Sequence, residues 1–365
     1  MLRGPHFIVA GIITMLVTAC VPTYSPAPPA PAPAPASPPP FAHAAADIPC
    51  SDGSSITSKV VELAAAYDPA NNGTSPPQAG GLSTYGALVQ SAFNLAPQDL
   101  RNRLCALDHI YIDQFDTDHS AWGIRDRKSL KRHIGISKKL LDSISSSTIT
   151  YADYETEILH RLLWKAHTPE PTWLQGLTYT VVTPDTSAVA TLAILAHEIG
   201  HTLWWNKGIP NLKCSGTTFH EITWKEPVSI PRGYHKFRER QSNEPSEDFD
   251  IDDMIALLQG GTPAQLNQLS ADLQTVYQDA NWVGLFSFVA PDEDFIETYK
   301  YWILQQAGFK TMDMKIPGQE SVIHVMDNFN NASAGSGVGK KKAWIGLWLS
   351  DLGYCTEPGG GHAHP

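Results

Sequence analysis

The sequence lacks a hydrophobic run of the roughly 20 residues that a membrane-spanning helix needs, which excludes a polytopic membrane protein. Basic residues are also scarce, since 26 Lys and Arg stand against 37 Asp and Glu and give a formal net charge of −11. Without a basic face to neutralise phosphates, the chain is not expected to bind nucleic acid. Cysteine is limited to five residues with no C-x-x-C spacing, which argues against a cysteine-based metal site. Bulky side chains are plentiful, with 10 Trp, 12 Tyr and 12 Phe, so the chain can build a sizeable core.

The N-terminus has the pattern of a targeting signal. Arg3 provides a positive charge, and residues 7–17 form an apolar stretch that is too short to span a bilayer. The stretch ends in Val17-Thr18-Ala19-Cys20, which resembles the lipobox of bacterial lipoproteins. The resemblance implies that residues 1–19 are a lipoprotein signal peptide and that Cys20 is lipidated, attaching the protein to a membrane.

The residue after the cysteine and the segment that follows refine this prediction. Position 21 is Val and not Asp, which by the same resemblance favours the outer membrane of the bacterial cell envelope. Ten of the 28 prolines lie between Pro22 and Pro40. Proline favours extended polyproline II structure, so residues 20–46 are predicted to be a semi-rigid Pro/Ala-rich linker. The folded domain is then expected over 47–357, followed by a flexible tail at 358–365.

Four cysteines remain once Cys20 carries lipid. An even number in an oxidising compartment suggests two disulfides. Three pairings are possible, and we favour the one that keeps each bridge within one half of the chain. That pairing is Cys50–Cys105 and Cys214–Cys355.

Hydrophobic periodicity predicts a mixed α+β chain whose C-terminal part is mostly helical. The stretch 207–250 is rich in proline and predicted to be mainly loop, and Gly335 to Lys340 is predicted to be a flexible turn. The predicted strands are 109–113, 132–136 and 177–182, and the predicted helices are 57–67, 84–95, 97–108, 151–166, 186–205, 250–259, 263–280 and 292–307.

The strongest chemical signal is the H-E-x-x-H pattern formed by His197, Glu198 and His201. Residues four apart on a helix project from the same face, so both imidazoles can bind one metal ion. A zinc ion lowers the pKa of a water that it binds, and Glu198 can then act as general base on that water. The pattern predicts one catalytic Zn²⁺.

A catalytic zinc usually has a third protein ligand, and three candidates compete. The segment Asn243–Asp248 reads N-E-x-x-x-D, but Pro245 follows its glutamate directly. Glu293 and Glu297 lie one turn apart on the helix predicted at 292–307. A distant histidine, such as His220 or His235, is the third possibility. We favour the pair Glu293 and Glu297, with one carboxylate on the metal and the other hydrogen-bonded to a zinc-binding imidazole.

H-E-I-G-H followed far downstream by E-D-F-x-E resembles the gluzincin group of zinc metallopeptidases. The likeness is greatest to bacterial putative zinc-binding metallopeptidases and to the anthrax lethal factor catalytic domain. In such proteins the first glutamate of the second motif binds zinc, which implies Glu293, and the later acid supports a ligand, which implies Glu297. The 91 residues between His201 and Glu293 predict an inserted subdomain at about 208–280.

The same resemblance implies a zincin-like fold and a peptide or protein substrate. Such a fold has a small twisted mixed sheet whose antiparallel edge strand lies above the active-site helix, and the substrate lies extended along that edge. A tyrosine or histidine that stabilises the transition state is also expected, for which Tyr234, His235, Tyr277 and Tyr299 are candidates.

Two functions of different classes remain open from the sequence, and a zinc hydrolase of non-peptide substrates is a third, weaker alternative. The first is a zinc endopeptidase, and the alternative is a catalytically silent zincin-fold lipoprotein with a binding or structural role in the cell envelope. A structural site needs the histidines but not the adjacent base, so the presence of Glu198 favours the enzyme. The sequence does not predict the oligomeric state or the cleavage specificity.

Overall fold

The architecture comes from a computed structural model of the chain. The structure describes residues 50, 56–67, 76, 79–116, 120–126, 129, 131–164, 178–181, 185–204, 209–224, 228–229, 235–236, 281–288, 291–315, 322–350 and 354–356. The predicted signal peptide, Cys20, the linker, the tail and the helices predicted at 250–259 and 263–280 lie outside these ranges. Among the described residues, no helix combines the length and hydrophobicity needed to cross a bilayer.

A five-stranded mixed sheet, called the first sheet here, forms the centre of the N-terminal half. Its strands, in spatial order, are β2 (Ala79–Leu82), β1 (Val60–Leu63), β3 (His109–Asp113), β5 (Arg132–Ser137) and β4 (Ala121–Arg125). The inner strands β1, β3 and β5 are parallel, whereas β2 and β4 run antiparallel at the two edges. The strands predicted at 109–113 and 132–136 are therefore confirmed.

The helix predicted at 57–67 is wrong. Residues 56–59 form a short 3₁₀ turn, and the chain then enters strand β1. Val60 and Val61 are β-branched, and their backbone pairs with Ile110 and Tyr111 of β3. Pairing with a distant strand outweighs the helical periodicity of a short apolar segment.

Eight helices are described, and one of them, α5, crosses the core. Its central position follows from an almost continuous run of buried side chains between Val189 and Leu203. It packs on the first sheet on one side and on α6 on the other. The helices are α1 (Gly86–Leu95), α2 (Gln98–Cys105), α3 (Lys138–Ser145), α4 (Tyr151–Trp164), α5 (Ser187–Trp204), α6 (Pro291–Gln306), α7 (Val325–Asn330) and α8 (Gly337–Leu349).

Three smaller sheets complete the described structure, and they add β-structure to a C-terminal part that was predicted to be mostly helical. In one of them, β11 (Met312–Lys315) lies between β6 (Thr178–Val181) and β12 (Val322–His324). The second joins β7 (Lys213–Cys214), β8 (Thr217–Thr218) and β13 (Cys355–Thr356), and the third is the pair β9 (Val228–Ser229) and β10 (His235–Lys236). The fold is thus α+β.

Both predicted disulfides are present. Cys50 is bonded to Cys105 at the end of α2, and Cys214 of β7 is bonded to Cys355 of β13. The second bridge closes a chain separation of 141 residues and ties the segment after α5 to the C-terminus. Bridges that close such long loops restrict the unfolded chain strongly, so this one contributes to stability.

The flexible turn predicted at Gly335 to Lys340 is wrong, because α8 begins inside it. The hydroxyl of Ser336 accepts a hydrogen bond from the backbone N–H of Gly339 and caps the helix. Lys341 is fully buried and binds Asp294 at the start of α6. Gly337, Gly339 and Lys340 therefore belong to a helix, whereas Gly335 lies in the turn before it.

Candidate metal centre

Helix α5 positions His197, Glu198 and His201. The two histidines lie one turn apart, with ring centroids 4.9 Å apart and with their Nε2 atoms separated by 3.2 Å. Gly200, between them, faces Ile296 of α6, and an added Cβ there would lie 3.0 Å from the isoleucine side chain. The small residue thus allows α6 to approach the histidine-bearing turn closely.

Helix α6 brings Glu293 to the two histidines. Its Oε2 lies 3.8 Å from Nε2 of His197, and its Oε1 lies 3.8 Å from Nε2 of His201. One potential ligand atom from each of the three residues falls within 4.8 Å of the others. The structure therefore brings together the three residues that the sequence favoured as metal ligands. We refer to His197, His201 and Glu293 as the α5 cluster.

The other candidates for the third position do not join this cluster in the part of the chain that the structure describes. His220 lies on a 3₁₀ turn, where its Nε2 is 3.4 Å from the hydroxyl of Thr218. The side chain of His235 and the segment Asn243–Asp248 lie outside the described residues.

The first turn of α6 is fixed by a buried ion pair. Lys341 approaches the Asp294 carboxylate at 2.7 and 2.8 Å and also donates to the carbonyl of Asn281 at 2.7 Å. The indole N–H of Trp224 donates to the same carboxylate at 2.9 Å. These contacts hold Asp294 away from the histidines and so orient the neighbouring Glu293 toward them.

Glu297 contacts the histidine ring on the side away from the cluster. Its Oε1 lies 2.9 Å from Nδ1 of His197. A carboxylate can only accept, so Nδ1 carries the hydrogen and the lone pair is on Nε2, which faces Glu293 and His201. The role predicted for Glu297, supporting an imidazole, agrees with this contact.

Sequence reasoning missed two residues that hold Glu297. Lys300 Nζ lies 2.8 Å from Glu297 Oε1 and 2.7 Å from Glu155 Oε1, and all three side chains are buried. The i, i+3 spacing of Glu297 and Lys300 on one helix was a usable signal. Glu155 lies on α4, 145 residues before Lys300, and no local pattern links the two.

Burial sets the protonation of the cluster. Burial, and then the charge of Lys300, lowers the pKa of His197 to about 3. Burial, and then the neighbouring His197, lowers the pKa of His201 well below its ordinary value. Burial alone raises the pKa of Glu198 to about 8, and burial with nearby carboxylates raises the pKa of Glu293 well above its ordinary value. Both imidazoles are therefore neutral, as metal ligands must be.

Two buried oxygens provide a test of whether the cluster fits a metal ion. Within the described residues, Oε2 of Glu198 and Oε2 of Glu293 have no hydrogen-bond partner. An unsatisfied buried polar atom costs about 1–3 kcal/mol, and more when it is charged. A divalent cation held by the histidines and Glu293 would satisfy the second oxygen, and two imidazoles with one carboxylate form a donor set typical of catalytic Zn²⁺. The residues present fit the ion.

A cleft of about 200 Å³ opens onto the cluster. One wall comes from the edge strand β4, which packs on α5 at Gly123, where an added Cβ would overlap the backbone oxygen of Glu198. The family resemblance implied an antiparallel edge strand near the helix, and β4 is antiparallel to β5 at the edge of the first sheet. The cleft is lined by Ser120, Ala121, Tyr154, Glu155, Ile158, His197, Glu198, His201, Phe286, Glu293, Glu297 and Lys300.

Of the residues predicted to stabilise a transition state, Tyr299 is the one whose side chain the structure describes, and it does not line the cleft. Tyr299 is buried, and its hydroxyl donates to Asp99 Oδ2 at 2.8 Å. Tyr234, Tyr277 and the side chain of His235 lie outside the described residues. Tyr154 of α4 lines the cleft, although no pattern in the sequence singled it out.

The chain was compared with models of protein families, with curated proteins and with solved structures, and none of them matches it. The geometry of His197, Glu198, His201 and Glu293 is therefore the basis for any statement about function.

Proposed function

We propose that this protein is a zinc-dependent endopeptidase with a zincin-like fold. The observation that carries the proposal is the convergence of His197, His201 and Glu293, with Glu198 beside them in an open cleft. A binding or structural site would need the three ligand side chains but not a fourth, buried carboxylate with an unsatisfied oxygen. Such a group is suited to moving a proton.

The roles of the residues follow from their positions. His197, His201 and Glu293 would hold Zn²⁺, which when bound supplies a Lewis acid that polarises a peptide carbonyl and lowers the pKa of water. Glu198 accepts a proton from the attacking water and then donates it to the leaving amine. Glu297 fixes the tautomer of His197 through the 2.9 Å contact with Nδ1.

The buried pair of Lys300 and Glu155 supports this arrangement from behind. Lys300 offsets the charge of Glu297 through a 2.8 Å contact, and the same carboxylate oxygen accepts from Nδ1 of His197. Glu155 shares the ammonium group from the opposite helix, α4. The three residues thus form a buried network that holds one imidazole in a single orientation.

The edge strand β4 gives the substrate a place to bind. β4 is the last strand in the order of the first sheet. Its first residue, Ala121, and the preceding Ser120 line the cleft. A peptide laid along this edge would pair with the backbone of β4 and pass over the cluster. An unfolded or extended protein segment is therefore the proposed substrate.

We further propose that the catalytic domain is anchored by lipid on Cys20 to the outer membrane of the bacterial cell envelope. The support is the sequence Val17-Thr18-Ala19-Cys20 and the Pro/Ala-rich segment over 20–46. The two disulfides agree with an oxidising compartment.

Cleavage assays on three preparations of the mature chain test the activity. The zinc-loaded, chelator-stripped and zinc-restored forms are each incubated with a permanently unfolded protein and a mixed-sequence peptide library. We expect cuts at internal peptide bonds with the first and third forms only. If the fully zinc-loaded protein cuts nothing, the endopeptidase proposal is wrong and the silent binding lipoprotein replaces it.

A further inference from the structure

A second group of metal-ligand side chains lies on the first sheet, on the face opposite α5. It consists of Asp108, His109 and His133, and we refer to it as the sheet cluster. His109 and His133 are register partners on the parallel strands β3 and β5. Their neighbours Ile110 and Ile134 belong to the main core, so alternation along the strands directs the two histidines to the other face.

The three side chains are close enough to share one ion. A potential ligand atom from each lies within 4.8 Å of the others. Nδ1 of His109 is 3.0 Å from Oδ2 of Asp108, and the rings of His109 and His133 are nearly parallel, with 6° between their planes and 6.2 Å between their centroids. The backbone N–H of Asp108 donates to the carbonyl of Arg132 at 2.9 Å, which fixes the carboxylate beside β5.

Packing gives the sheet cluster a rigid frame. The ring of Tyr111 lies 5.4 Å from that of His109 and 5.7 Å from that of His133, measured between centroids. Tyr111 itself packs with Trp122 and Ile124 in a small apolar group on this face. Rigid strands and fixed rings hold ligands in place with little cost in conformational freedom on binding.

Three of the four imidazole nitrogens of the sheet cluster have no hydrogen-bond partner among the described residues. His133 is only 2% exposed, and among the described residues neither its Nδ1 nor its Nε2 has a hydrogen-bond partner. Nδ1 of His109 is also buried and makes no hydrogen bond, although it lies 3.0 Å from Oδ2 of Asp108. Buried polar atoms are almost always paired with protein, water or an ion. The same signature, a buried and unpartnered ligand atom, marks Glu293 in the cluster on α5.

We propose that Asp108, His109 and His133 bind a second divalent transition-metal ion, for which Zn²⁺ is the appropriate probe. Two imidazole nitrogens and one carboxylate oxygen suit Zn²⁺ and do not suit the oxygen-seeking Ca²⁺ or Mg²⁺. Asp108 and His109 are partly exposed, so solvent can reach the ion and complete its coordination. The ion would join β3 to β5 and so stabilise the sheet.

Lys131 is the nearest competitor for the carboxylate. Its Nζ lies 2.9 Å from Oδ1 of Asp108, whereas Oδ2 is the oxygen turned toward His109. The lysine side chain is 55% exposed and can move into solvent when an ion binds. Its positive charge therefore weakens metal binding without preventing it, and removing that charge should strengthen binding.

Zinc stoichiometry tests the proposal. Equilibrium dialysis against Zn²⁺ is applied to the mature chain, to H109A and to the double variant H197A/H201A, each carrying H362A and H364A so that tail imidazoles do not contribute. We expect two ions per chain in the parent and one in each variant. If H109A binds as many ions as the parent, the proposal is wrong.

The same measurement separates this proposal from the one for α5. If H197A/H201A binds as much zinc as the parent while H109A loses an ion, the sheet cluster stands and the site on α5 fails. Lys131→Met in the H197A/H201A background gives a second test that does not remove a ligand. It should tighten zinc binding several-fold, whereas Lys138→Met, which removes another exposed lysine paired with an aspartate, should not. Unchanged or weaker binding by the Lys131 variant would overturn the proposal.

Discussion

Replacing Glu293 and Glu297 separately by glutamine should affect zinc affinity at the α5 cluster very differently. Both changes keep the side-chain shape and remove one negative charge. Glu293 faces Nε2 of both histidines at 3.8 Å, so its carboxylate is the charged ligand of the ion. Glu297 contacts only the far nitrogen of His197, at 2.9 Å. A residue that supports a ligand typically changes metal affinity by about 10–100-fold.

We therefore expect Glu297→Gln to weaken zinc binding by about 10–100-fold and Glu293→Gln to weaken it by more than ~100-fold, or about 2.8 kcal/mol. Chelator competition measures both affinities in a background that carries H109A, H362A and H364A, so that neither the sheet cluster nor the tail histidines contribute. Glu62→Gln, on β1, is the matched control and should leave affinity unchanged. A wild-type affinity for Glu293→Gln would refute the reasoning and point to a third ligand outside the described residues.

Three further changes test separate parts of the account. Lys300→Met leaves the buried carboxylates of Glu155 and Glu297 without their cation. Chemical denaturation should therefore show a loss of about 3–5 kcal/mol in the free energy of unfolding. An unchanged denaturation midpoint would contradict the proposed network of Lys300, Glu155 and Glu297. Gly123→Ala places a Cβ against the backbone of α5. This overpacking should lower the free energy of unfolding by about 1–3 kcal/mol in the same assay and should also lower peptidase activity. Wild-type stability together with wild-type activity would count against the close packing of β4 on α5. Cys20→Ala should move the protein from the membrane fraction to the soluble fraction, and continued membrane retention after signal cleavage would exclude the lipid anchor.

The features that the sequence revealed are those with a local signal. His197 and His201 are four residues apart in a long apolar helix, and that spacing alone places them on one face. Glu293 was selected because a second acidic motif starts a predicted helix, and the structure does place it at the histidines. The disulfide pairing also followed from the chain order of the cysteines.

The features that were missed depend on contacts between distant segments. Strand β4 was not predicted because its five residues include Gly123, which weakens any strand pattern, although that glycine is what lets β4 lie against α5. Glu155 on α4 meets Lys300 on α6 only in the folded chain, because 145 residues separate them in the sequence. The segment at 57–67 was assigned to the wrong class because its pairing with β3 lies beyond any local window. Contacts between distant segments decided the last two cases, whereas β4 was missed because of its glycine.

The most direct test of the central claim is the cleavage rate of Glu198→Gln. Glu198 is 3% exposed and adjacent to a proposed ligand, and glutamine keeps its shape while removing its basicity. The variant should fold, bind zinc at the α5 cluster through His197, His201 and Glu293, and cut an unfolded substrate at least ~10²-fold more slowly than wild type, the loss typical of a missing general base. Glu62→Gln, measured beside it, should cut at the wild-type rate. A zinc-loaded Glu198→Gln protein that cuts as fast as wild type would contradict the mechanism.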